Sequence, residues 1–293
     1  MAIDPKPTVR PYFFASDLHG RLPRWQSLLQ RIEAESPAAV FLGGDLCPHV
    51  MSATNLDHEH GFLMGWLGPQ LRALRQTMGD SYPRILTILG NDDPAFFVDD
   101  LEDLQAEGLL EHIHMRRTML SDVPVYGCAW VPPSPFQLKD WERYDVGRGV
   151  DPGCVPPEEG RRTTDVDDRV LRNTTITSEL EALVGDADLT DAVVLFHAPP
   201  YRTALDRAAL DGQMVEHVPL DVHIGSIAIR RFLEAHGPAV ALCGHVHESA
   251  RLTGQWRDSV GDTAVFGAAH DGPELALVRF EARDPGRATR ELI

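Results

Sequence analysis

Residues 239–248 read AVALCGHVHE, in which five apolar residues lead directly into a glycine and two histidines. A short apolar run that ends at a glycine is typical of a strand buried on both faces. Side chains two residues apart on an extended segment point in the same direction, so His245 and His247 can contribute to one site. This stretch therefore predicts a buried parallel strand with two metal-binding side chains at its carboxyl end.

Four other predicted strands end in the same kind of side chain. Apolar runs at 9–15, 38–42, 85–89 and 192–196 are each followed by residues that can bind metals. In open α/β sheets, ligands collect outside the carboxyl ends of the strands. Together these segments predict one cluster of seven candidate metal ligands: Asp17, His19, Asp45, Asn91, His197, His245 and His247.

The spacing of the apolar residues also predicts helices between the strands. Helices are expected at 22–34, 62–78, 95–106, 166–184 and 224–236, and further strands at 123–129, 240–243, 249–253, 263–266 and 275–280. Apolar strands that alternate with amphipathic helices indicate a mostly parallel sheet covered on both faces. With the short strands near the C-terminus, the pattern predicts a two-sheet sandwich with helices outside, in a single domain over residues 1–293.

This regular pattern stops between about residues 131 and 165, where proline, glycine and charged residues dominate. Long loops without secondary structure are uncommon inside a domain and often act as lids over a site or as linkers. Two aromatic residues, Trp141 and Tyr144, lie near the cations Lys139, Arg143 and Arg148. We interpret the segment as a loop insertion that covers a site, with a plain linker as the alternative.

The net charge of the chain disfavours two classes of binding partner. The chain carries 27 lysines and arginines against 44 aspartates and glutamates, a formal charge of −17. Because polyanions are bound mainly by cations, we expect neither long nucleic acid nor an anionic membrane as a partner. The spacing of the four cysteines does not match that of a metal site. The sequence shows no basic-then-apolar signal segment at its start. It also has no apolar run that approaches the ~18 residues needed to span a bilayer. A cytoplasmic protein is expected, and no oligomeric state is assigned.

The chemistry of the candidate ligands favours a pair of metal ions. Carboxylate, amide oxygen and imidazole suit Mn²⁺, Fe²⁺ or Zn²⁺, and the absence of thiolates argues against a structural zinc site. Seven ligands are too many for one tetrahedral ion but fit two ions about 3.5–4 Å apart that share a carboxylate. Taken alone, Asp45 reads as a helix N-cap and Asn91 as a turn residue. Five such segments in order favour the metal centre, with Mn²⁺ or Fe²⁺ preferred and Zn²⁺ as the alternative.

In order along the chain, the motifs DLH, GGD, GND, H and GHVH resemble the five motifs of the calcineurin-like metallophosphoesterase superfamily. The matching residues run from Asp17 to His247, most of the chain. The segments HAPP and GHVHE, with Gly225 and Ser226, are most similar to the intracellular branch of Icc-type and cyclic-nucleotide phosphodiesterase-like enzymes. The resemblance implies an α/β fold: a four-layer αββα sandwich of two mixed β-sheets flanked by helices.

The resemblance also implies how the ligands are shared between two divalent metal ions. The first ion would be held by Asp17, His19, Asp45 and His247. The second would be held by Asn91, His197 and His245, with Asp45 as the bridge. In the superfamily, a hydroxide that bridges the two metals attacks the phosphorus of a phosphate ester.

One position departs from the superfamily. The third motif often reads GNH, and its histidine assists the leaving group, whereas this chain has Asp92 there. An ionised carboxylate repels phosphate and donates no proton unless its pKa is raised, so Asp92 is expected to orient a ligand or water. Members without this histidine resemble diesterases more than monoesterases. We assign Asp92 and His245 as catalytic residues, and Asn91 and Ser226 as substrate-binding residues.

The sequence therefore predicts a dinuclear metal-dependent phosphoesterase that acts on a small phosphate ester, with a phosphodiester as the expected substrate. A phosphomonoesterase of the same fold and a non-catalytic metal-binding scaffold are the alternatives. The strand-rich C-terminal third disfavours a TIM-barrel amidohydrolase, and the acidic charge disfavours a nuclease. Three further histidines in the loop after Asp45 are interpreted as solvated loop residues: His49, His58 and His60.

Overall fold

Two mixed β-sheets form the centre of the structure, a computed structural model that describes residues 10–48 and 61–293. The first sheet contains, in spatial order, β14 (Thr289–Leu292), β13 (Ala276–Phe280), β1 (Tyr12–Ala15), β2 (Ala39–Gly43), β3 (Arg84–Ile88) and β4 (Glu111–His112). Strands β1 to β4 are parallel, and β13 and β14 are antiparallel to their neighbours. The carboxyl ends of β1, β2 and β3 therefore lie at one edge of this sheet.

The second sheet has the same mixed character. Its strands, in spatial order, are β11 (Arg257–Val260), β12 (Thr263–Gly267), β10 (Val240–Cys243), β7 (Val193–Phe196), β6 (Val123–Cys128) and β5 (Arg116–Leu120). The four central strands are parallel and the two outer strands are antiparallel to them. A separate hairpin is formed by β8 (Met214–Val215) and β9 (Val218–Pro219). The predicted pair of mixed sheets is confirmed.

The helices are α1 (Leu22–Glu35), α2 (Gly68–Met78), α3 (Phe97–Ala106), α4 (Asp168–Asn173), α5 (Ile176–Val184), α6 (Ile227–His236) and α7 (Ser249–Thr253). A single π-helical turn, Leu63–Leu67, leads into α2. In α1, the apolar residues Trp25, Leu28 and Ile32 recur at helical spacing and are buried as one stripe. Within the described ranges, no helix is both long enough and apolar enough to cross a bilayer.

Aromatic side chains join the two sheets. Phe280 on β13 contacts Phe41 on β2 of its own sheet and Phe266 on β12 of the other sheet, with ring centroids 5.7 and 5.8 Å apart. All three side chains are buried, and burial of each contributes about 1.5–3 kcal/mol. The apolar faces of the two sheets therefore pack against each other. As a result, an edge of one sheet lies beside an edge of the other.

Two predicted elements differ in the structure. The strand expected at 249–253 is the short helix α7, because Leu252 N–H donates to Glu248 and the turn ends at Gly254 in the left-handed region. The single helix expected at 166–184 is divided into α4 and α5. Thr175 is extended there and caps α5 reciprocally with Ser178, which makes a helix start more favourable than a continuous helix.

Other differences between the predicted and observed elements concern the start of one helix and several outer strands. The helix expected from 224 begins at Ile227, since Ser226 has extended backbone angles and acts as its N-cap. The outer strands that were not predicted include β5, β11 and β14. Each lies at a sheet edge and carries mostly polar, exposed residues, so its sequence lacks the signal of a buried strand.

The segment 131–165 contains no helix or strand, but it is tied closely to the body of the protein. Lys139 is fully buried, and its Nζ donates to Glu142 Oε2 at 2.5 Å and to the Ser134 carbonyl at 2.7 Å. The Arg143 guanidinium lies 3.7 Å from the centre of the Trp130 ring. The cations that suggested a lid are therefore engaged within the protein.

The buried Lys139–Glu142 pair yields a stability prediction. Glu142→Ala leaves the ammonium group buried without its carboxylate, so we expect the free energy of unfolding to fall by about 3–5 kcal/mol. The matched control is Glu234→Ala, which removes an exposed carboxylate from Arg230 on α6 and is expected to change stability by less than about 0.5 kcal/mol. Urea unfolding followed by tryptophan fluorescence measures both. Equal losses in the two variants would contradict the prediction.

Candidate metal centre

The predicted ligands lie where the edges of the two sheets meet. Beyond the strands, Asp17 N–H donates to the Gly44 carbonyl at 2.9 Å and His19 N–H to the Asp45 carbonyl at 2.7 Å. These bonds continue the pairing of β1 with β2 into the loops that follow them. Across the sheets, His245 N–H donates to Asp17 Oδ1 at 3.0 Å. Backbone and side-chain bonds thus join the loops that carry the ligands.

Four of the predicted ligands form a compact group. Ligand atoms of Asp17, His19, Asp45 and His247 all lie within 4.8 Å of one another. His247 Nε2 is 3.1 Å from Asp17 Oδ1 and 3.0 Å from His19 Nε2. Carboxylate oxygens and imidazole nitrogens that converge in this way suit a divalent cation.

The remaining ligands lie on the other side of Asp45. His197 Nε2 is 3.0 Å from Asn91 Oδ1 and 3.4 Å from Asp45 Oδ2. The His245 ring centroid is 5.1 Å from that of His197. Asp45 Oδ2 is also 3.8 Å from His19 Nε2, so this one oxygen faces both groups. Asp45 therefore lies between the two groups, and its role as a bridge between two metals stays a prediction.

The electrostatics of the site favour positive charge. Burial alone would raise the pKa of Asp17, but the hydrogen bond and the charge of His247 lower it to about 2. Burial alone would lower the pKa of His197, but the charge of Asp45 outweighs burial and raises it to about 10. Two buried carboxylates therefore hold a proton on a buried imidazole, and divalent cations would supply the same compensation. This donor set fits the metals that the sequence predicts.

His245 differs from the other histidines. Burial and the neighbouring His197 lower the pKa of His245 to about 4, so its imidazole is neutral at physiological pH. A neutral imidazole offers a lone pair to a metal. This state suits its predicted role as a ligand, and its predicted role in catalysis stays a prediction.

The backbone at the ligands is unusual. Four ligands have positive φ angles although none is glycine: Asp17 (57°), His19 (47°), Asp45 (51°) and His245 (73°). Residues other than glycine rarely adopt this left-handed region, and aspartate and histidine are among those that tolerate it best. Such conformations cost about 1–3 kcal/mol each and cluster at functional sites. The surrounding fold holds the ligand loops in this strained form.

Glycines beside the ligands allow the loops to approach closely. A Cβ atom at Gly90 would lie 2.2 Å from Asp45 Oδ1, and one at Gly244 would lie 2.0 Å from Ser16 Oγ. Both distances are far below any van der Waals contact. The glycines before Asn91 and His245 are therefore required by space, since neither has a positive φ angle.

Asp93 joins two ligand loops, a contact that the sequence pattern does not predict. Its carboxylate is fully buried and accepts hydrogen bonds from the backbone N–H groups of Leu46 (3.0 Å), Cys47 (2.9 Å) and Gly90 (3.0 Å). Burial and the charge of Asp45 raise its pKa to about 7. Asp93 thus fastens the loop that carries Asp45 to the loop that carries Asn91. The available signal is the pair of aspartates in GNDD, of which the family resemblance points only to Asp92.

Asp92 lies at the exposed side of the same group. Its Oδ2 is 3.8 Å from His19 Nδ1, and its Oδ1 accepts a hydrogen bond from Asn91 Nδ2 at 3.1 Å. Its backbone N–H donates to Asp45 Oδ1 at 2.9 Å. The carboxylate therefore lies beside the candidate metal ligands, as expected for a group that orients a ligand or water. The catalytic role of Asp92 and the substrate contact of Asn91 stay predictions.

Ser226 is the N-cap residue of α6. Its side chain is fully buried, accepts from Ile229 N–H at 3.0 Å and donates to Asp145 Oδ1 at 2.5 Å. Asp145 Oδ2 accepts from Ile227 N–H at 2.7 Å. A carboxylate from the loop insertion therefore lies at the N-terminus of α6, and the substrate contact of Ser226 stays a prediction. The three loop histidines His49, His58 and His60 lie outside the described residues.

Comparison with solved structures identifies the fold. The crystal structure of TT1561 of Thermus thermophilus matches with a TM-score of 0.55 and 15% identity, over 97% of this chain and 99% of that chain. A dimetal phosphatase from Danio rerio matches with a TM-score of 0.53 and 10% identity, over 97% and 96% of the two chains. At these identities, the likeness shows a shared fold.

Sequence comparison identifies the family. A stretch of 80 residues is 34% identical to the uncharacterized protein MJ1162 of Methanocaldococcus jannaschii and covers 27% of this chain. The match spans only 31% of that curated relative. A far longer match is to the calcineurin-like phosphoesterase family model, which covers residues 11–249 and includes every predicted ligand. The chain therefore belongs to the calcineurin-like phosphoesterase family.

Proposed function

We propose that this protein is a dinuclear, metal-dependent phosphodiesterase that hydrolyses a small phosphodiester. The observation that carries the proposal is the convergence of seven metal-binding side chains in two groups that share the Asp45 carboxylate. Family membership supports hydrolysis of a phosphoric ester. One solved structure of this fold is described as a dimetal phosphatase, which supports the same chemistry.

Each ligand has a place in this proposal. Asp17, His19 and His247 would hold one divalent ion, and Asn91, His197 and His245 would hold the other. Two bound ions supply charge to the phosphate oxygens and lower the pKa of water. The donor types favour Mn²⁺ or Fe²⁺, with Zn²⁺ as the alternative.

The charge of the site supports a diester over a monoester. Asp92 contributes a partly exposed carboxylate beside His19, at the position where many family members have a histidine. A phosphodiester carries one negative charge at neutral pH, whereas a monoester approaches two. The additional charge of a monoester would face Asp92 as well as the net charge of −17 of the whole chain. The same field disfavours a long nucleic acid and supports a small substrate.

Removal and return of metal tests this proposal. The protein is stripped of metal, supplied with Mn²⁺, and compared on methyl p-nitrophenyl phosphate and p-nitrophenyl phosphate. We expect metal-dependent turnover with the diester preferred, and a loss of at least about 100-fold in Asn91→Ala because a ligand oxygen is removed. The matched control is Asn173→Ala on α4, whose amide contacts Arg148 and Arg169, away from the ligands.

Other results of that assay would redirect the proposal. Preference for the monoester would make the protein a phosphomonoesterase and contradict the inference from Asp92. Bound Mn²⁺ without turnover of either ester would favour a non-catalytic metal-binding scaffold. Equal activity in Asn91→Ala and Asn173→Ala would remove Asn91 from the ligand set.

Asp93 provides a separate test of how the centre is assembled. In the wild-type protein, backbone N–H groups donate to both oxygens of the Asp93 carboxylate. In Asp93→Asn, an amide N–H₂ replaces one of these oxygens, so hydrogen bonds that join the two ligand loops are lost. We expect the affinity for Mn²⁺, measured by calorimetric titration, to fall about 10–100-fold. Asp99→Asn, at an exposed position on α3, is the matched control. Lower thermal stability with unchanged Mn²⁺ affinity would show that Asp93 supports the fold without positioning the metal ligands.

A further inference from the structure

A second histidine–aspartate pair lies outside the metal centre. His223 Nδ1 is 2.7 Å from Oδ1 of Asp206, in the segment between β7 and α6. Asp206 is fully buried, whereas the His223 side chain is 29% exposed. The proposed phosphodiesterase activity uses neither residue so far, and the third motif of this chain lacks the histidine that assists the leaving group elsewhere in the family.

The Asp206 carboxylate is fixed from several directions. Its Oδ1 also accepts from Thr203 N–H at 3.0 Å, and its Oδ2 accepts from Arg202 N–H at 2.8 Å and Gly225 N–H at 3.2 Å. Three backbone N–H groups thus fix the orientation of the carboxylate. The position of the acceptor for His223 is therefore set by the backbone of two separate loop segments.

This contact determines which way the His223 ring faces. Because Nδ1 donates to Asp206, the other ring nitrogen, Nε2, lies on the opposite side of the ring. Nε2 makes no hydrogen bond within the described ranges, and part of the ring reaches solvent. The Tyr201 ring packs edge-on against His223, with centroids 6.2 Å apart. The imidazole is thus held in one orientation with Nε2 available to a ligand.

Two hydrogen bonds connect the loop that carries His223 to segments next to the metal centre. Ser226 N–H donates to the Pro199 carbonyl at 2.9 Å, which joins the segment after His223 to the segment after the ligand His197. On the other side, Ala209 N–H donates to Glu248 Oε1 at 3.0 Å. Glu248 directly follows the ligand His247. The loop that carries His223 is therefore anchored to the two segments that leave the ligands of the second sheet.

We propose that His223 donates the proton to the leaving-group oxygen of the substrate and that Asp206 positions it. This inference rests on the proposed phosphodiesterase function. Water forms the new bond to phosphorus, and the bond between phosphorus and the leaving oxygen breaks with its electron pair on that oxygen. The proton from His223 Nε2 neutralises the oxygen as the bond breaks, and the proton released by water restores His223 through solvent. Asp92 then has no need to act as an acid.

Several charged side chains lie around His223. Two carboxylates contact His223: Asp206 accepts from the ring, and Asp221 Oδ1 accepts from the backbone N–H at 2.9 Å. Arg207 pairs with His223 through the backbone, and its guanidinium is engaged by Asp211. Arg202 stacks on Tyr201, with its guanidinium carbon 5.2 Å from the ring centre. Both arginines therefore have partners of their own.

The test varies the leaving group. His223→Gln and wild-type enzyme, both loaded with Mn²⁺, are compared on methyl p-nitrophenyl phosphate and methyl phenyl phosphate, which differ in the basicity of the phenol released. General acid catalysis contributes about 10²–10⁴-fold when the leaving group is basic. We expect His223→Gln to lose at least about 100-fold in kcat on the phenyl ester and little on the nitrophenyl ester. Asp206→Asn should show the same dependence on leaving group with a smaller loss.

The matched control for His223→Gln is a second histidine on the same loop. His217→Gln makes the same substitution at an exposed position on the β8–β9 hairpin and should behave as wild type. Equal losses of His223→Gln on both esters would show a structural role and overturn the proposal, as would full activity on both. Absence of turnover in the wild-type enzyme would instead refute the proposed phosphodiesterase function and leave the His223 result separate from it.

Discussion

The buried negative charge of Asp17 and Asp45 is the constraint on which the rest of the structure depends. These carboxylates lie where the two sheets meet, with almost no exposure to solvent. Buried charges of one sign are tolerated only beside compensating cations or donors. Histidines from the second sheet provide that compensation: His247 contacts Asp17, and His197 contacts Asp45. The interface between the sheets is therefore apolar through its depth and ionic at one edge.

The sequence predicts the parts of the molecule that depend on local pattern. Apolar runs that end in glycine and a polar residue identify the ligand-bearing strand ends, because a parallel sheet brings such ends together. Polar edge strands such as β5 and β14 lack that pattern. Residues whose role depends on a distant partner were also missed: Asp93 binds N–H groups 46 and 47 positions away, and Asp206 meets His223 across a hairpin. Only the fold creates these pairings.

The irregular segment 131–165 braces the edge that carries the candidate metal centre. Trp141 Nε1 donates to the Asp93 carbonyl at 2.7 Å, and Asp140 accepts from Ala95 N–H at 2.8 Å. Asp145 accepts from Ile227 N–H at the start of α6. One stretch of chain thus contacts the loop after β3 and the helix after His223. Its aromatic and charged residues, which suggested a lid, are used in fixing these positions.

The left-handed backbone at four of the ligands limits how the site can change in evolution. A residue at these positions has to satisfy the backbone as well as the metal, and β-branched or bulky side chains are excluded by sterics. Aspartate, asparagine, histidine and glycine are the residues that the geometry accepts most readily. Relatives that abandon metal binding should therefore replace these ligands with asparagine or glycine rather than with valine or isoleucine. Such relatives would keep the backbone conformation of the centre after losing metal binding. A few substitutions would then be enough to restore the lost activity.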